Sequence, residues 1–293
     1  MSIVQAIPDA VALGTLFALV AMGVGLVFGV IRLVNFAHGE LITAGAYALF
    51  LTKGLSTGVR AVIAIGVVVA LAALMEVVYR PLKNVAPATM LIATFAVSFL
   101  LQNVALVVFG AQGGNMGFLS GLNQAFRLGP FQVRWITLVG LVVGSLSLAG
   151  MALFLRRTDL GLQMRAAAAD VWMAKLLGVP TRRVVRLAFL LGGLLAGVVT
   201  LALAVQRPLV TPTFGFQVLI PVLVGVVVGG IDRLVPATLG GFTIGFATVL
   251  ISVALPGSQR VFLNSVLFAL VITVLLVKPA GLFEGRNPTA ERV

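Results

Sequence analysis

The chain has 293 residues, 60% of them hydrophobic and 10% charged, with a mean hydropathy of +1.17. A soluble domain carries roughly 25% charged residues, so this composition excludes one and points to a polytopic membrane protein. The formal net charge of +12 sits between apolar runs, where Lys and Arg act as topology signals, so no nucleic-acid partner is expected. Zero cysteines and a single histidine exclude disulfides and thiolate chemistry and leave too few ligands for a metal centre; no cofactor is expected.

The N-terminus, MSIVQAIPDA, has no basic stretch before its apolar run, so the first span reads as retained rather than cleaved. Nine apolar segments approach the ~20 residues that a membrane crossing needs: 11–31, 36–51, 61–79, 89–109, 135–155, 187–205, 216–230, 235–255 and 261–277. The expected architecture is an all-α, polytopic transmembrane helical bundle of about 8–10 membrane segments, with residues 1–293 forming one domain. The segments beginning at Phe36 and Phe216 are short enough to be half-helices, and if one fails to cross, the parity of the chain requires that a second fail too.

At the start of the second segment stand Asn35, His38 and Glu40. His38 and Glu40 are two residues apart and do not share a helix face, so they do not make a metal site. Asn35 can cap the amide of His38, and Glu40 is favoured by the positive end of a helix dipole; the same trio is a gating candidate. Glu76 can pair with Arg80 at the end of the third segment. Inside the spans the polar groups are neutral, Gln102, Asn103 and Thr200 among them, and these three are the candidates for lining a path. No ionisable group is expected at mid-membrane, no nucleophile has a base, and no phosphate-cradling Gly-Lys loop is present, so the energy for any active transport must come from another chain.

Residues 110–134 form the longest connector outside the basic regions, rich in glycine and polar residues, and read either as an exposed link or as a surface for an extracytoplasmic partner. Residues 156–186, RRTDLGLQMRAAAADVWMAKLLGVPTRRVVR, are the one long basic island. The island contains seven of the 20 Lys and Arg residues, which places it in the cytoplasm by the positive-inside rule. Alternation then puts the N-terminus outside and the C-terminus inside, with 14 basic residues inside, Arg286 and Arg292 among them, and six outside. Thr158 is a plausible N-cap, the run Ala166 to Ala169 favours helix, Gly178 with Pro180 stops it, and Thr181 can cap the next helix. Trp172 with Leu176, and Met173 with Leu177, are apolar i,i+4 pairs that need a partner: membrane lipid, the rest of the chain, or another protein.

Small-xxx-small pairs such as Gly25 and Gly29, Gly193 and Gly197, and Gly225 and Gly229 allow close helix contact. An internal echo between IRLVNFAHGELITAGA from Ile31 and DRLVPATLGGFTIGFA from Asp232 reads as a parallel repeat, with chance as its alternative.

The motifs GLVFGVIRLVNFAHGELITAGAY (Gly25 to Tyr47), RPLKNVAPATMLIATFAVSFLLQN (Arg80 to Asn103), RRTDLGLQMRAAAADVWMAKLLGV (Arg156 to Val179), VGVVVGGIDRLVPATLGG (Val224 to Gly241) and KPAGLF (Lys278 to Phe283) resemble the permease subunits of bacterial ATP-binding-cassette importers for branched-chain amino acids. The resemblance runs over nearly the whole chain. It implies a non-catalytic subunit of the inner membrane, working with a second homologous permease subunit, two ATPase subunits and an extracytoplasmic substrate-binding protein. It also implies that Arg165, Ala166, Ala169, Asp170, Trp172, Leu176 and Gly178 belong to the helix that docks on the ATPase. Asp232 and Arg233, where the family has Gly and Ser, and Pro236, where it has Gly, depart from the pattern. Urea, short amides or aromatic acids remain alternative solutes, and a stand-alone channel or secondary carrier remains the alternative class.

Overall fold

The computed structural model describes residues 3–128, 131–278 and 281–283; Arg286, Arg292, Pro279 and Ala280 lie outside the described residues. The apolar segments become α1 (Ile3–Ile31), α2 (His38–Leu51), α3 (Thr57–Tyr79), α4 (Pro87–Phe109), α5 (Trp135–Arg157), α8 (Thr181–Gln206), α9 (Phe214–Gly229), α10 (Leu234–Ala254) and α11 (Leu263–Val277). The basic island supplies α6 (Asp159–Ala169) and α7 (Val171–Leu176) between α5 and α8. Four short strands, β1 (Gly114–Asn115), β2 (Ala125–Leu128), β3 (Phe131–Arg134) and β4 (Leu209–Val210), lie at the opposite end of the bundle. Among the described residues, seven helices are long and apolar enough to cross a membrane. The protein is a multi-pass membrane helical bundle.

The two short helices have a common design. α2 has 14 residues and α9 has 16, lengths of about 21 and 24 Å against a hydrocarbon core of about 30 Å. Each is preceded by a non-helical segment, 32–37 before α2 and 207–213 before α9, that ends in a turn. His38, the first residue of α2, packs against Gly23, eight residues and about 12 Å up α1 from its end at Ile31.

Packing around these elements relates two halves of the chain by inversion. α1 packs on α10 as α8 packs on α3; α2 lies on α3 as α9 lies on α10; α2 touches α4 as α9 touches α11; and α1 meets α8, as α2 meets α9, across the middle. α1 and α8 are the most enclosed long helices, while α4 and α11 are mostly exposed. This is an inverted-topology repeat of the kind found in transporters. The parallel repeat expected from the Ile31 and Asp232 echo is therefore not what the fold contains: the first segment spans the end of α1 and the start of α2, and the second opens α10. The resemblance follows from two glycine-rich helix starts with similar composition.

At the end opposite the basic island, the 110–134 connector is an ordered cap. β1 pairs antiparallel with β4, placing Gly114 opposite Val210, and β2 pairs with β3. Met116 and Phe118 are buried. Arg60 donates to the carbonyl oxygens of Leu49 (2.8 Å), Met116 (2.6 Å) and Gly117 (3.1 Å), and its guanidinium lies 5.4 Å from the Phe118 ring. Asp9 ties the same end together, at 3.2 Å from Arg134 and accepting from Thr137 at 2.5 Å.

Candidate functional site

The first candidate site is the meeting point of the half-helices. α1 is stopped by Arg32, whose φ of 52° is left-handed and unusual for a residue with a side chain. The Arg32 guanidinium is held by Asp232 at 3.0 Å and by the Ala168 carbonyl at 2.9 Å. Asp232, a departure from the resembled pattern, is thus the counter-charge that joins the α9–α10 turn to the end of α1. The Asn35 side chain accepts from the amide of Ala37 at 3.0 Å, not from that of His38, which instead donates to the Asn35 carbonyl at 3.1 Å. The expected cap is displaced by one residue because residues 35–38 form a tight turn before the helix starts.

Glu40 is 2% exposed and His38 1%, so ionisable side chains are enclosed in the bundle, contrary to the expectation of neutral groups alone. Oε1 of Glu40 accepts from Ser98 Oγ and Gln102 Nε2, both at 2.8 Å. Four residues before Ser98, Thr94 donates to the Val34 carbonyl at 3.3 Å. Thr94, Ser98 and Gln102 recur every four residues and so form one stripe of α4 that rivets it to the start of α2. The carboxylate needs these donors, because a buried charge without hydrogen bonds is costly.

The half-helices cross at Gly39 and Gly215. A Cβ on Gly39 would sit 2.9 Å from the Gly215 carbonyl oxygen, and the Gly215 amide donates to Thr43 Oγ1 at 2.9 Å. Two clefts flank this crossing along the groove between α4 and α9. One, of about 410 Å³, is lined by Phe99, Gln102, Asn103, Thr211, Thr213 and Gln217; the other, of about 380 Å³, is apolar and lined by Phe36, Leu91, Ile220, Val227, Val271 and Leu275. Between them Phe36 and Phe95 meet edge to face at 5.9 Å. Of the three path candidates, Gln102 and Asn103 line the first cleft. Thr200 is fully buried where α8 meets α2, donating to the Ala196 carbonyl at 2.8 Å and packing at Gly45.

The second candidate site is α6 and α7. Thr158 caps α6 as expected, accepting from Gly161 at 3.0 Å. The single helix expected from Arg165 to Gly178 is broken at Asp170, whose side chain accepts from the amides of Trp172 (2.8 Å) and Met173 (2.9 Å) and starts α7 afresh. Asp170 competes with the helix backbone for these amides, which overrides the helix preference of the alanines before it. Gly178, at φ 84°, ends α7. Its amide donates to Lys175 O and that of Val179 to Ala174 O, the paired bonds of a Schellman motif. The next helix starts at Thr181 without a side-chain cap.

Within α6, Ala167 and Met164 are buried, Ala166 is half-buried, and Arg165 and Ala169 are exposed. On α7, Ala174 faces the protein while Trp172 is 70% exposed and Leu176 62%, with Met173 and Leu177 beside them. The result is a contiguous, exposed apolar patch on a short, doubly capped helix flanked by basic residues, and patches of this kind mark interaction surfaces. Among the described residues no cluster of His, Asp or Glu suits a metal.

Residues 7–277 match the family described as branched-chain amino acid transport system, permease component. The chain is 32% identical over 302 residues to the high-affinity branched-chain amino acid transport system permease protein LivH of Escherichia coli (strain K12), covering 97% of this chain and 96% of that one. It is 31% identical over 304 residues to the permease protein BraD of Pseudomonas aeruginosa, covering 99% and 97%. It is 27% identical over 290 residues to the probable branched-chain amino acid transport permease protein LivH of Methanocaldococcus jannaschii, covering 93% and 90%. No solved structure matches the chain significantly. A bundle of seven long apolar helices, two paired half-helices and a short helix with an exposed apolar face is what this likeness spans from end to end, and the chain belongs to the branched-chain amino acid transport permease family.

Proposed function

We propose that this protein is the non-catalytic permease subunit of an ATP-binding-cassette importer for branched-chain amino acids in a bacterial inner membrane. It works with a second homologous permease subunit, two ATPase subunits and an extracytoplasmic binding protein. The observation that carries this reading is the exposed patch of Trp172, Met173, Leu176 and Leu177 on a helix with caps at both ends. The ATPase groove receives the patch, and the basic end of the bundle faces the cytoplasm, so the N-terminus lies outside and the C-terminus inside. ATP-driven closure of the ATPase pair pushes α7, and through α6 and α8 it tilts the halves of the repeat.

The groove between α4 and α9 is the solute's path. Its outer cleft combines neutral polar groups, Gln102, Asn103, Thr213 and Gln217, with the apolar face of Phe99. That lining suits a zwitterion with an apolar side chain, whose charges are met by helix ends and amides. Phe36 and Phe95 with the glycine crossing form the barrier, and Glu40 positions it from behind.

Co-purification tests the assembly. The chain isolated from bacterial membranes is expected to bring an ATPase and a second permease, and Trp172→Glu with Leu176→Glu is expected to release the ATPase while the two permeases stay together. A chain that comes out alone, or an ATPase retained by the double variant, overturns the reading. Because the protein has no cysteine, Gln217→Cys and Val227→Cys can be labelled singly with an impermeant thiol reagent. Gln217 is expected to react from outside and Val227 from the cytoplasm; reaction of both from one side overturns the barrier.

A further inference from the structure

A cavity of about 750 Å³ at the basic end lies against α7, shares Trp172 with the exposed apolar patch, and is separate from the solute path. Its wall includes Arg32 from the end of α1, Arg80 from the turn after α3, Trp172 and Lys175 from α7, and Thr181 and Arg182 from the start of α8. Four cations from four separate elements therefore line one space. Arg32 is paired with Asp232 and Arg80 with Glu76. Among the described residues Lys175 and Arg182 have no carboxylate partner, and no acid lines the cavity. Arg32, Lys175 and Arg182 are exposed at the cavity wall, and the two cations without a carboxylate partner leave it with uncompensated positive charge, a surface that attracts an anion.

We infer that this cavity binds a phosphate group, either the headgroup of an anionic phospholipid or a soluble phosphate ester, and that the bound anion fixes α7 against α1, α4 and α8. Arginine guanidinium groups bind phosphate oxygens in pairs and lysine adds a point charge, a combination that prefers phosphate to a monocarboxylate. Basic cavities between helices at a cytoplasmic surface are suited to lipid headgroups for the same reason. The binding stands on the cavity alone; its effect on transport rests on the proposed docking role of α7.

The full chain, purified in dodecyl maltoside, is titrated separately with phosphatidylglycerol and with pyrophosphate, and followed by native mass spectrometry and thermal shift. Saturable binding of one or both probes is expected, with affinity at least about tenfold lower in Lys175→Gln with Arg182→Gln, since each removed cation loses a charge-assisted contact. The equally neutralised Arg156→Gln with Arg157→Gln, changed outside the cavity, is expected to bind as the unaltered chain does. Binding of phosphatidylglycerol alone assigns the site to the membrane, and saturable pyrophosphate binding assigns it to a soluble phosphate. Acylation of Lys175 in the unaltered chain gives a reading that needs no variant: either probe should protect Lys175 and leave Lys53, at the opposite end, reactive. Absence of binding, equal loss in both double variants, or an unprotected Lys175 overturns the inference. ATPase co-purification is measured on the same Lys175 and Arg182 variant; loss of the anion with the ATPase retained separates the cavity from the docking patch.

Discussion

Replacing Gly215 by alanine puts the inverted arrangement of the half-helices to a direct test. An added Cβ would lie 2.8 Å from the carbonyl carbon of Gly39 and 2.9 Å from Thr43 Oγ1, well inside contact distance, so the crossing must open. Overpacking of this kind costs about 1–3 kcal/mol, and separation of the Gly215 amide from Thr43 adds about 1 kcal/mol. Alanine's better helix propensity returns at most about 1 kcal/mol, leaving a net loss of about 1–3 kcal/mol. Gly150, in α5, provides the comparison: nothing lies within 4 Å of its added Cβ, and Gly150→Ala is expected to be neutral or stabilising by up to about 1 kcal/mol. Purified variants are heated in detergent and the folded fraction is read by size-exclusion chromatography. Gly215→Ala should melt about 2–10 °C below Gly150→Ala. Equal melting temperatures would refute the contact between Gly39 and Gly215, and with it the symmetric placement of α2 and α9.

Arg60→Met removes the donors to three carbonyl groups; it should cost about 2–4 kcal/mol and make residues 110–134 a protease site in intact right-side-out vesicles, where the unaltered chain resists cleavage. Ser98→Ala with Gln102→Leu leaves Glu40 without two donors and should destabilise by about 2–4 kcal/mol; adding Glu40→Gln should recover part of that loss in the same melting assay. Asp170→Ala removes the α7 cap, worth about 1 kcal/mol, and should weaken ATPase retention several-fold while the melting temperature of the isolated chain barely moves. Gly178→Ala forces a side chain into φ 84°, and should cost about 1–2 kcal/mol with the same selective effect on ATPase retention.

The long helices were legible because each is a run of apolar residues long enough to span lipid, and periodicity adds little to that signal. The short segments were also legible as short. Their depth was not, because it depends on His38 meeting Gly23 and Gly39 meeting Gly215, contacts more than a dozen residues apart in sequence. The echo that was visible, Ile31 against Asp232, compares unlike places. The true counterparts are the breaks opened by Arg32 and Arg207, each followed by a half-helix with glycine second, His38-Gly39 and Phe214-Gly215. On α6 and α7, Thr158 and Gly178 carried their capping roles openly, since capping is local chemistry. Asp170 was placed within one helix running to Gly178, when its side chain ends that helix and starts a second. The partners of Glu40 could have been sought from the spacing of Thr94, Ser98 and Gln102, but a polar stripe does not name what it faces. Thr200 makes the same point in reverse: a polar residue in a span satisfied its hydroxyl on its own helix and faces packing.

α5 is the one long helix without a counterpart in the other half. In the proposed topology α1 through α4 make an even number of traversals and return the growing chain to the side it left. Without one more pass, the second half would emerge from the translocon in the same orientation as the first, and α8 and α9 would run parallel to α1 and α2 instead of against them. α5 is therefore the inverter of the molecule. Most of its surface is exposed, so few contacts within the chain constrain its sequence, but in this topology its presence is a condition of biogenesis. A gene in which it was deleted or duplicated would still encode every contact residue and would deliver half of them to the wrong side of the membrane.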